Sequence, residues 1–582
     1  MITGFLSICT QDAAKCPLLF TLVVAWEVLS SVWMLVLEAG IALLAGVMAL
    51  CWPGIGSKWF ATVERILGIL ARKRVASVIT VGAAAIVLRL AILPLELIPQ
   101  PFIHDEFSYL LAADTFASGR LTNPTHPLWT HFESFHINQQ PSYMSMYFPA
   151  QGLAMAAGQV LFGHPWYGVL LSVGFMCAAM CWMMQGWLPP GWALLGGMLA
   201  VLRLGLFSNW VNGYYGGAIA ATGGALVLGA IPRMKSRATV RNGCVFAIGT
   251  IILAISRPYE GLLVCGPAVA VLVWPVIRNP RILLAPLVLL LIAAGLMAHY
   301  NQRVFGSALT LPYQTNRMTY ASAPVFLWES ARPAPEYRSK EMHDFFQIWE
   351  MHDFRLAQTA QGFRDKTAQK LGTALLFFFG IALLSPLIML PRLFRDSRVR
   401  YLLIAGAVFA LGLGVNAWFF PHYAAPFTAA IYVMLLQCMR HLRQCKPAGL
   451  ALVRYAPLVC LVLAGFRVYV EPLGLTIHRW PVMWYGTAPL GLPRAKVVAQ
   501  LKANPGKQLA IVRYTPEHAS FDDWVYNAAD IDASEVVWAR ELRAASNPEL
   551  LRYFRDRQAW LVEPDFDPPR VSRYPSVPGE DR

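Results

Sequence analysis

Asp105 and Glu106 stand side by side at the start of a polar loop, 101–145, directly after an apolar run at 76–99. Ionised groups at the edge of hydrocarbon are costly and mark functional sites. A carboxylate placed there can take a proton from an attacking hydroxyl or amine, which makes Asp105 a candidate general base. Glu106 has two readings, a partner that orients the attacking group or a helix-start carboxylate that satisfies the helix dipole. Arg257 lies in Ser256-Arg257-Pro258-Tyr259-Glu260-Gly261. Its fork of donors suits a phosphate, against an ion pair with Glu260 or a snorkelling side chain. His422 and Tyr423, in Pro421-His422-Tyr423-Ala424-Ala425-Pro426, offer a further donor pair. Tyr214 and Tyr215, set between Gly213 and Gly216, can stack on a ligand ring or belong to an interfacial aromatic belt. The loop also carries His104, His126, His131 and His136. No two of them are spaced i,i+4, so no helical metal pair is read and no metal is assigned.

The elements that must position these residues are membrane helices. The chain has 582 residues, 57% apolar and only 14% charged, well below the charge of a soluble domain. Apolar runs long enough to span a bilayer recur along residues 17–471. The formal charge is +15, yet residues 472–582 hold 14 Lys/Arg and 14 Asp/Glu, so the excess lies entirely in the membrane part. There it punctuates the spans rather than forming a continuous basic face, which argues against nucleic-acid binding. Ten cysteines are scattered in or beside apolar runs, with no disulfide or paired CxxC pattern.

Positive clusters fall in alternate loops: Arg72-Lys73-Arg74, then Arg233 to Arg241, Arg278 with Arg281, Arg392 to Arg400, and Arg440 to Lys446. Taken as cytoplasmic, they delimit spans near 76–99, 164–187, 190–207, 211–231, 243–256, 260–277, 282–300, 371–391, 400–419, 422–439 and 451–470. This arrangement places 101–145, 301–370 and 472–582 on one external side. Residues 17–52 form either a hairpin or one long helix, and Glu27, Glu38, Arg89 and Arg203 interrupt apolar stretches. The fold class is therefore an all-α polytopic membrane protein of about 11–13 transmembrane helices, with a small α/β external domain at the C-terminus. Three regions follow: 1–75, an anchor and cytoplasmic linker; 76–471, the membrane domain; and 472–582, the external domain. In the last, Leu509–Arg513 and Ala559–Val562 read as strands, and a helix starts at Asn547-Pro548. His343-Asp344 and His352-Asp353 read as parts of an amphipathic external helix.

After His104-Asp105-Glu106, the residues Phe107, Leu110, Leu111 and Phe116 share a helical face, and Gly119 caps the end. This helix is expected to lie flat on the membrane with its apolar face down. The Asp-Glu pair, Tyr109, the alanine-rich helix, Gly119-Arg120 and the later Pro421–Pro426 pattern together resemble the GT-C superfamily of membrane glycosyltransferases. They are most similar to its protein O-mannosyltransferase and aminoarabinose lipid A transferase group, the glycosyltransferase family 39-like enzymes. The resemblance covers roughly 76–470. It implies an inverting hexosyl- or pentosyltransferase that draws on a polyprenyl-phosphate sugar donor and serves an acceptor lipid, glycan or protein. It implies Asp105 and Glu106 as catalytic residues and sets His422 and Tyr423 in its late-span pattern; Tyr109, Tyr214, Tyr215, Arg257 and Glu260 are placed at the substrate from their own residue types and positions, and no cofactor is assigned, a divalent metal being left open. It also implies a bacterial inner membrane with the site on the periplasmic face. One departure stands out: some relatives carry a basic residue before Pro-Pro in the first loop, where this chain has Gln139-Gln140-Pro141, so the donor-phosphate contacts differ. A transporter or flippase is the alternative reading, for which charges inside spans and broken helices are the expected marks. A non-catalytic scaffold would leave the two carboxylates without a purpose.

Overall fold

The computed structural model describes residues 17–475, 477, 483–487, 489–542 and 546–575; side chains are described from residue 32, so Glu27 lies outside. Among the described residues, five helices are long and apolar enough to cross a membrane: Val32–Cys51, Arg74–Ala91, Trp166–Trp187, Pro280–Phe305 and Ala448–Val468. Shorter apolar helices, among them Val240–Ala254, Pro258–Trp274 and Arg400–Gly414, pack with them. The molecule is mostly helical, as its hydropathy demands. In lipid every backbone N–H and C=O needs an internal partner. Residues 17–51 form one helix, not a hairpin, followed by the helix Ser57–Arg72.

Two expected spans are corrected. The run at 211–231 becomes helical only at Ala218, because Gly216 and Gly217 adopt φ of 70° and 151°. Those values favour glycine and break the helix. The run at 371–391 is also broken: Ala360–Phe378 ends before Gly380, whose φ is 57°. A side chain at Gly380 would strike the Arg203 guanidinium and the Glu38 carboxylate.

Among the described residues, the charged groups inside apolar stretches have polar partners from distant segments. Arg203 Nη1 donates to Glu38 Oε1 at 3.0 Å, and Glu38 also accepts from Trp484 Nε1 (3.0 Å) and Ala382 N (3.2 Å). Arg467 forks onto Glu96 at 3.0 and 3.1 Å, and Arg89 Nη2 reaches Asn212 Oδ1 at 2.9 Å. These contacts tie distant segments of the chain together.

The C-terminal segment folds as a four-stranded sheet in the order β4-β3-β5-β6, with β3 Gln508–Val512, β4 Val536–Arg540, β5 Gln558–Glu563 and β6 Arg570–Arg573. β3 runs parallel to β4 and β5, and β6 is antiparallel to β5. Alternation along β3 sends its side chains to two faces. Ala510 and Val512 pack with Val497 and Leu501 of the helix Leu492–Lys502. Leu509 and Ile511 share a core with Phe107, Leu111, Leu128, Phe132 and Tyr143 of the first loop. The expected membrane-facing surface of the first-loop helix is thereby corrected: Phe107 stacks on Tyr526 at 4.2 Å, under protein rather than on lipid. Polar ties reinforce the contact, including Ala529 N to Asp114 Oδ2 at 2.8 Å and Tyr143 Oη to the Asn527 carbonyl at 3.1 Å. Residues 340–358 form the expected amphipathic helix, burying Met342, Phe345, Phe346, Met351 and Phe354.

Candidate functional site

The helix His104–Ala117 begins at the end of an extended stretch, which sets Asp105 in its first turn, and Gly119 follows its C-terminus with φ 72°. A short hairpin, β1 Ile137–Asn138 paired antiparallel with β2 Met144–Ser145, brings His136 and Tyr147 to Asp105. His136 Nδ1 lies 2.8 Å from Asp105 Oδ1. The Tyr147 hydroxyl donates to Asp105 and is 2.8 Å from the same His136 nitrogen. His136 holds φ 58°, the one positive value among the described non-glycine residues. Ser108 Oγ fixes it there, donating to the His136 carbonyl at 2.6 Å. Backbone of this kind persists where its surroundings over-determine it, and it gathers at functional sites.

Electrostatics follow from burial and neighbours. Burial, then the nearby His136, pulls His104 down to about 3, so its ring is neutral at physiological pH. Burial works against the charge on Asp105. His104 and the hydrogen bonds from His136 and Tyr147 outweigh it and hold the carboxyl well below its ordinary range. Burial first, then the charge of Asp105, raises Tyr147 well above its usual value, so it stays a donor.

Glu106 faces elsewhere. Its Oε2 accepts from Phe102 N (2.8 Å) and Ile103 N (3.1 Å), and its Oε1 from Tyr214 N (3.0 Å). It caps the helix and staples it to the turn before Ala218. Burial pushes it up to about 7 against the pull of those three N–H groups. Tyr214 is likewise structural, its hydroxyl donating to the Pro99 carbonyl at 2.8 Å. Neither residue lines the cavity that the other expected residues share.

That cavity, about 350 Å³, is lined by Asp105, Tyr109, Tyr215, Arg257, Glu260, His422 and Tyr423. Arg257 sits at the N-cap of Pro258–Arg278 and pairs with Glu260 at 3.6 Å, its guanidinium 4.5 Å from the Tyr423 ring. Arg257 thus lines the cavity while paired with Glu260, as the ion-pair reading expected. Tyr215 packs on His422 at 5.4 Å and Tyr109 stacks on Tyr147 at 4.4 Å.

Sequence reasoning missed much of the lining. Tyr147, Tyr313, Arg317, Glu350, Trp418 and Phe521 all reach the cavity. Phe521 comes from the C-terminal segment and stands 5.9 Å from His104. The first loop, the 301–370 segment and the C-terminal segment therefore converge on one end of the helical bundle, and no local pattern in the sequence signals that. His104, Asp105 and His136 also present ligand atoms within 4.8 Å of one another, and His104 Nδ1 is buried without a partner. These three could hold a divalent cation, which would supply charge stabilisation to a bound phosphate.

No family model matches the sequence, and no curated protein matches it. Solved structures to which the chain is similar include ArnT from Cupriavidus metallidurans bound to undecaprenyl phosphate, at 13% identity and a TM-score of 0.48, covering 84% of this chain and 92% of that one. The Archaeoglobus fulgidus oligosaccharyltransferase in complex with Zn and sulfate is another, at 12% identity and a TM-score of 0.46, covering 83% of this chain and 67% of that one.

Proposed function

We propose that this protein is an inverting glycosyltransferase. It moves a sugar from a polyprenyl-phosphate carrier to an acceptor hydroxyl or amine at the external, periplasmic face of a bacterial inner membrane. The observation that carries the reading is the shared cavity, with the Asp105–His136 hydrogen bond and Arg257 both on its lining. Transfer from a phosphate-linked sugar needs a base for the acceptor proton and a cation for the leaving phosphate, and the cavity offers both.

The base is the Asp105–His136 pair. A carboxylate held well below its ordinary range is a weak proton acceptor. Asp105 serves by accepting from His136 Nδ1–H, which orients the ring and leaves Nε2 to take the proton from the attacking group. Tyr147 fixes the carboxylate from the other side. The acceptor oxygen or nitrogen then attacks the anomeric carbon, the bond to the phosphate breaks, and the electron pair leaves on the phosphate oxygen. Arg257 faces that developing charge, with His422 and Tyr423 beside it. Glu106 and Tyr214 are positioning residues, holding the Asp105 helix against the turn that carries Tyr215.

The test is incubation of purified protein with a panel of polyprenyl-phosphate sugars, following donor consumption, with Asp105→Asn alongside. Consumption by wild type alone supports the reading and identifies the sugar. Equal consumption by both proteins removes Asp105 from the chemistry.

A further inference from the structure

A second cleft, of about 830 Å³, lies between the helices Trp166–Trp187, Ala218–Ser236 and Val240–Ala254, and no residue lines both it and the Asp105 cavity. Its shaft is apolar, with Leu171, Phe175, Leu226, Val245 and Ile252 on its walls. The two hydroxyls along it donate back to their own helices, Ser172 to the Val169 carbonyl at 2.7 Å and Thr222 to the Ala218 carbonyl at 2.8 Å. The shaft therefore offers little to a polar ligand. Phe175 is 68% exposed, so the cleft opens sideways, toward lipid and not toward the interior of the bundle. Ile219 and Arg233 mark its two ends, fourteen residues apart on Ala218–Ser236, or about 21 Å at the helical rise. One leaflet of hydrocarbon is about 15 Å deep, so the shaft is long enough for an acyl chain.

The polar groups gather at one end. Ile219 follows closely on Tyr215, which lines the Asp105 cavity, so Arg233 stands at the end away from that cavity. Arg241 and Asn242, in the first turn of Val240–Ala254, line the same end. Arg233 Nη1 donates to the Gly229 carbonyl and Nη2 to the Trp182 carbonyl, both at 2.7 Å, and its guanidinium lies 3.8 Å from the Trp182 ring. A cation that only set the topology would reach out to water. Arg233 is instead half-buried and laid down in the mouth of the cleft. The charged group that acts on it is Arg74, a second cation. Gln185, one turn from Trp182, holds the Arg74 carbonyl at 2.9 Å. Among the described residues no carboxylate lines the cleft, so these arginines lack a countercharge there.

We propose that this cleft binds one anionic phospholipid of the leaflet opposite the Asp105 cavity. Its headgroup phosphate sits on Arg233 and Arg241, and an acyl chain runs along the shaft. Charge complementarity sets the occupant. The guanidinium fork suits a phosphate, and basic pockets between membrane helices favour anionic headgroups. A zwitterionic lipid would bring its own ammonium against the same arginines. The site does not depend on the glycosyl-transfer reading.

The probe is dioleoylphosphatidylglycerol, titrated into the full-length protein in maltoside detergent, with dioleoylphosphatidylcholine as the control and bound lipid counted by native mass spectrometry. One phosphatidylglycerol should bind about tenfold or more tightly than phosphatidylcholine. A basic residue at an anionic headgroup contributes about fivefold, so Arg241→Gln should weaken phosphatidylglycerol by about that factor and the double variant Arg233→Gln/Arg241→Gln by about thirtyfold. Phosphatidylcholine binding should not change. Arg241 is exposed, so its variant keeps the fold and reads the headgroup contact even if loss of Arg233 disturbs the helix end. Equal binding of the two lipids overturns the proposal, and so does an Arg241→Gln variant that binds phosphatidylglycerol as wild type does. Displacement of phosphatidylglycerol by equimolar polyprenyl phosphate would overturn it too, by making the cleft a site for the carrier.

Discussion

Asp105 and His136 lie 31 residues apart in the chain and are joined at 2.8 Å through Oδ1 and Nδ1. The hairpin of β1 and β2 makes the join, and Ser108 locks it by bonding the His136 carbonyl and the Ser145 hydroxyl at 2.6 and 2.7 Å.

If the pair is the base, Asp105→Asn and His136→Gln should each lower kcat/KM by about 10²–10⁴ while the protein inserts and melts normally. The double variant should be little worse than either single one, because the residues act as a unit. Donor-consumption rates check this. Fully additive losses would mean that the two serve separate steps.

Arg257→Ala should raise the KM for the lipid-linked donor by tenfold or more and leave the acceptor KM nearly unchanged, about what one charge-assisted contact contributes. Arg257→Lys should recover part of the loss, since Lys keeps the charge without the fork. Equal donor affinity in wild type and Arg257→Ala would remove the phosphate assignment.

Glu106 makes a prediction about stability against pH. Burial holds its folded value at about 7, above the ordinary 4.5. Its contribution to stability is therefore fully present below pH 4.5 and lost as pH rises through 7. His104, lowered from 6.5 to about 3, has the opposite sign: its contribution is present above pH 6.5 and lost as pH falls toward 3. The contrast between wild type and Glu106→Gln isolates Glu106. The melting temperature of wild type, relative to the variant, should fall between pH 4.5 and 7. Parallel curves over that window would show that Glu106 does not titrate there.

Chelation separates the hydrogen-bonded pair from a metal centre. With Asp105 already bonded to His136 and Tyr147, activity is expected to survive treatment with EDTA. Loss of activity restored by a divalent cation would instead assign His104, Asp105 and His136 as its ligands.

Leu509→Ala tests the union of the C-terminal segment with the first loop. Leu509 is fully buried in their shared core, and such truncations cost about 2–5 kcal/mol. The variant should lose both thermal stability and transfer activity, because the same core supports the helix that carries Asp105. Destabilisation with activity unchanged below the melting transition would mean that the C-terminal segment is an independent domain.

Hydropathy and local pattern carried the membrane class, most helix positions and the C-terminal strands at β3 and β5, and they singled out Asp105 and Arg257, which the fold brings to one cavity. These are local properties. Hydropathy, punctuating arginines and a carboxylate at the edge of an apolar run can all be read within a window of about 20 residues. The remainder came from packing between distant segments. His136 was one of four loop histidines with nothing local to single it out, and it was selected by a hairpin that turns it onto Asp105. Glu106 and Tyr214 looked like site residues until the fold spent their polar atoms on backbone partners. The spans at 211–231 and 371–391 were interrupted by Gly216, Gly217 and Gly380, whose backbone angles composition does not reveal. Phe521 reached the cavity from beyond the last membrane helix. Convergence of that kind depends on how buried faces of distant segments pack against one another, a relation that no stretch of sequence contains.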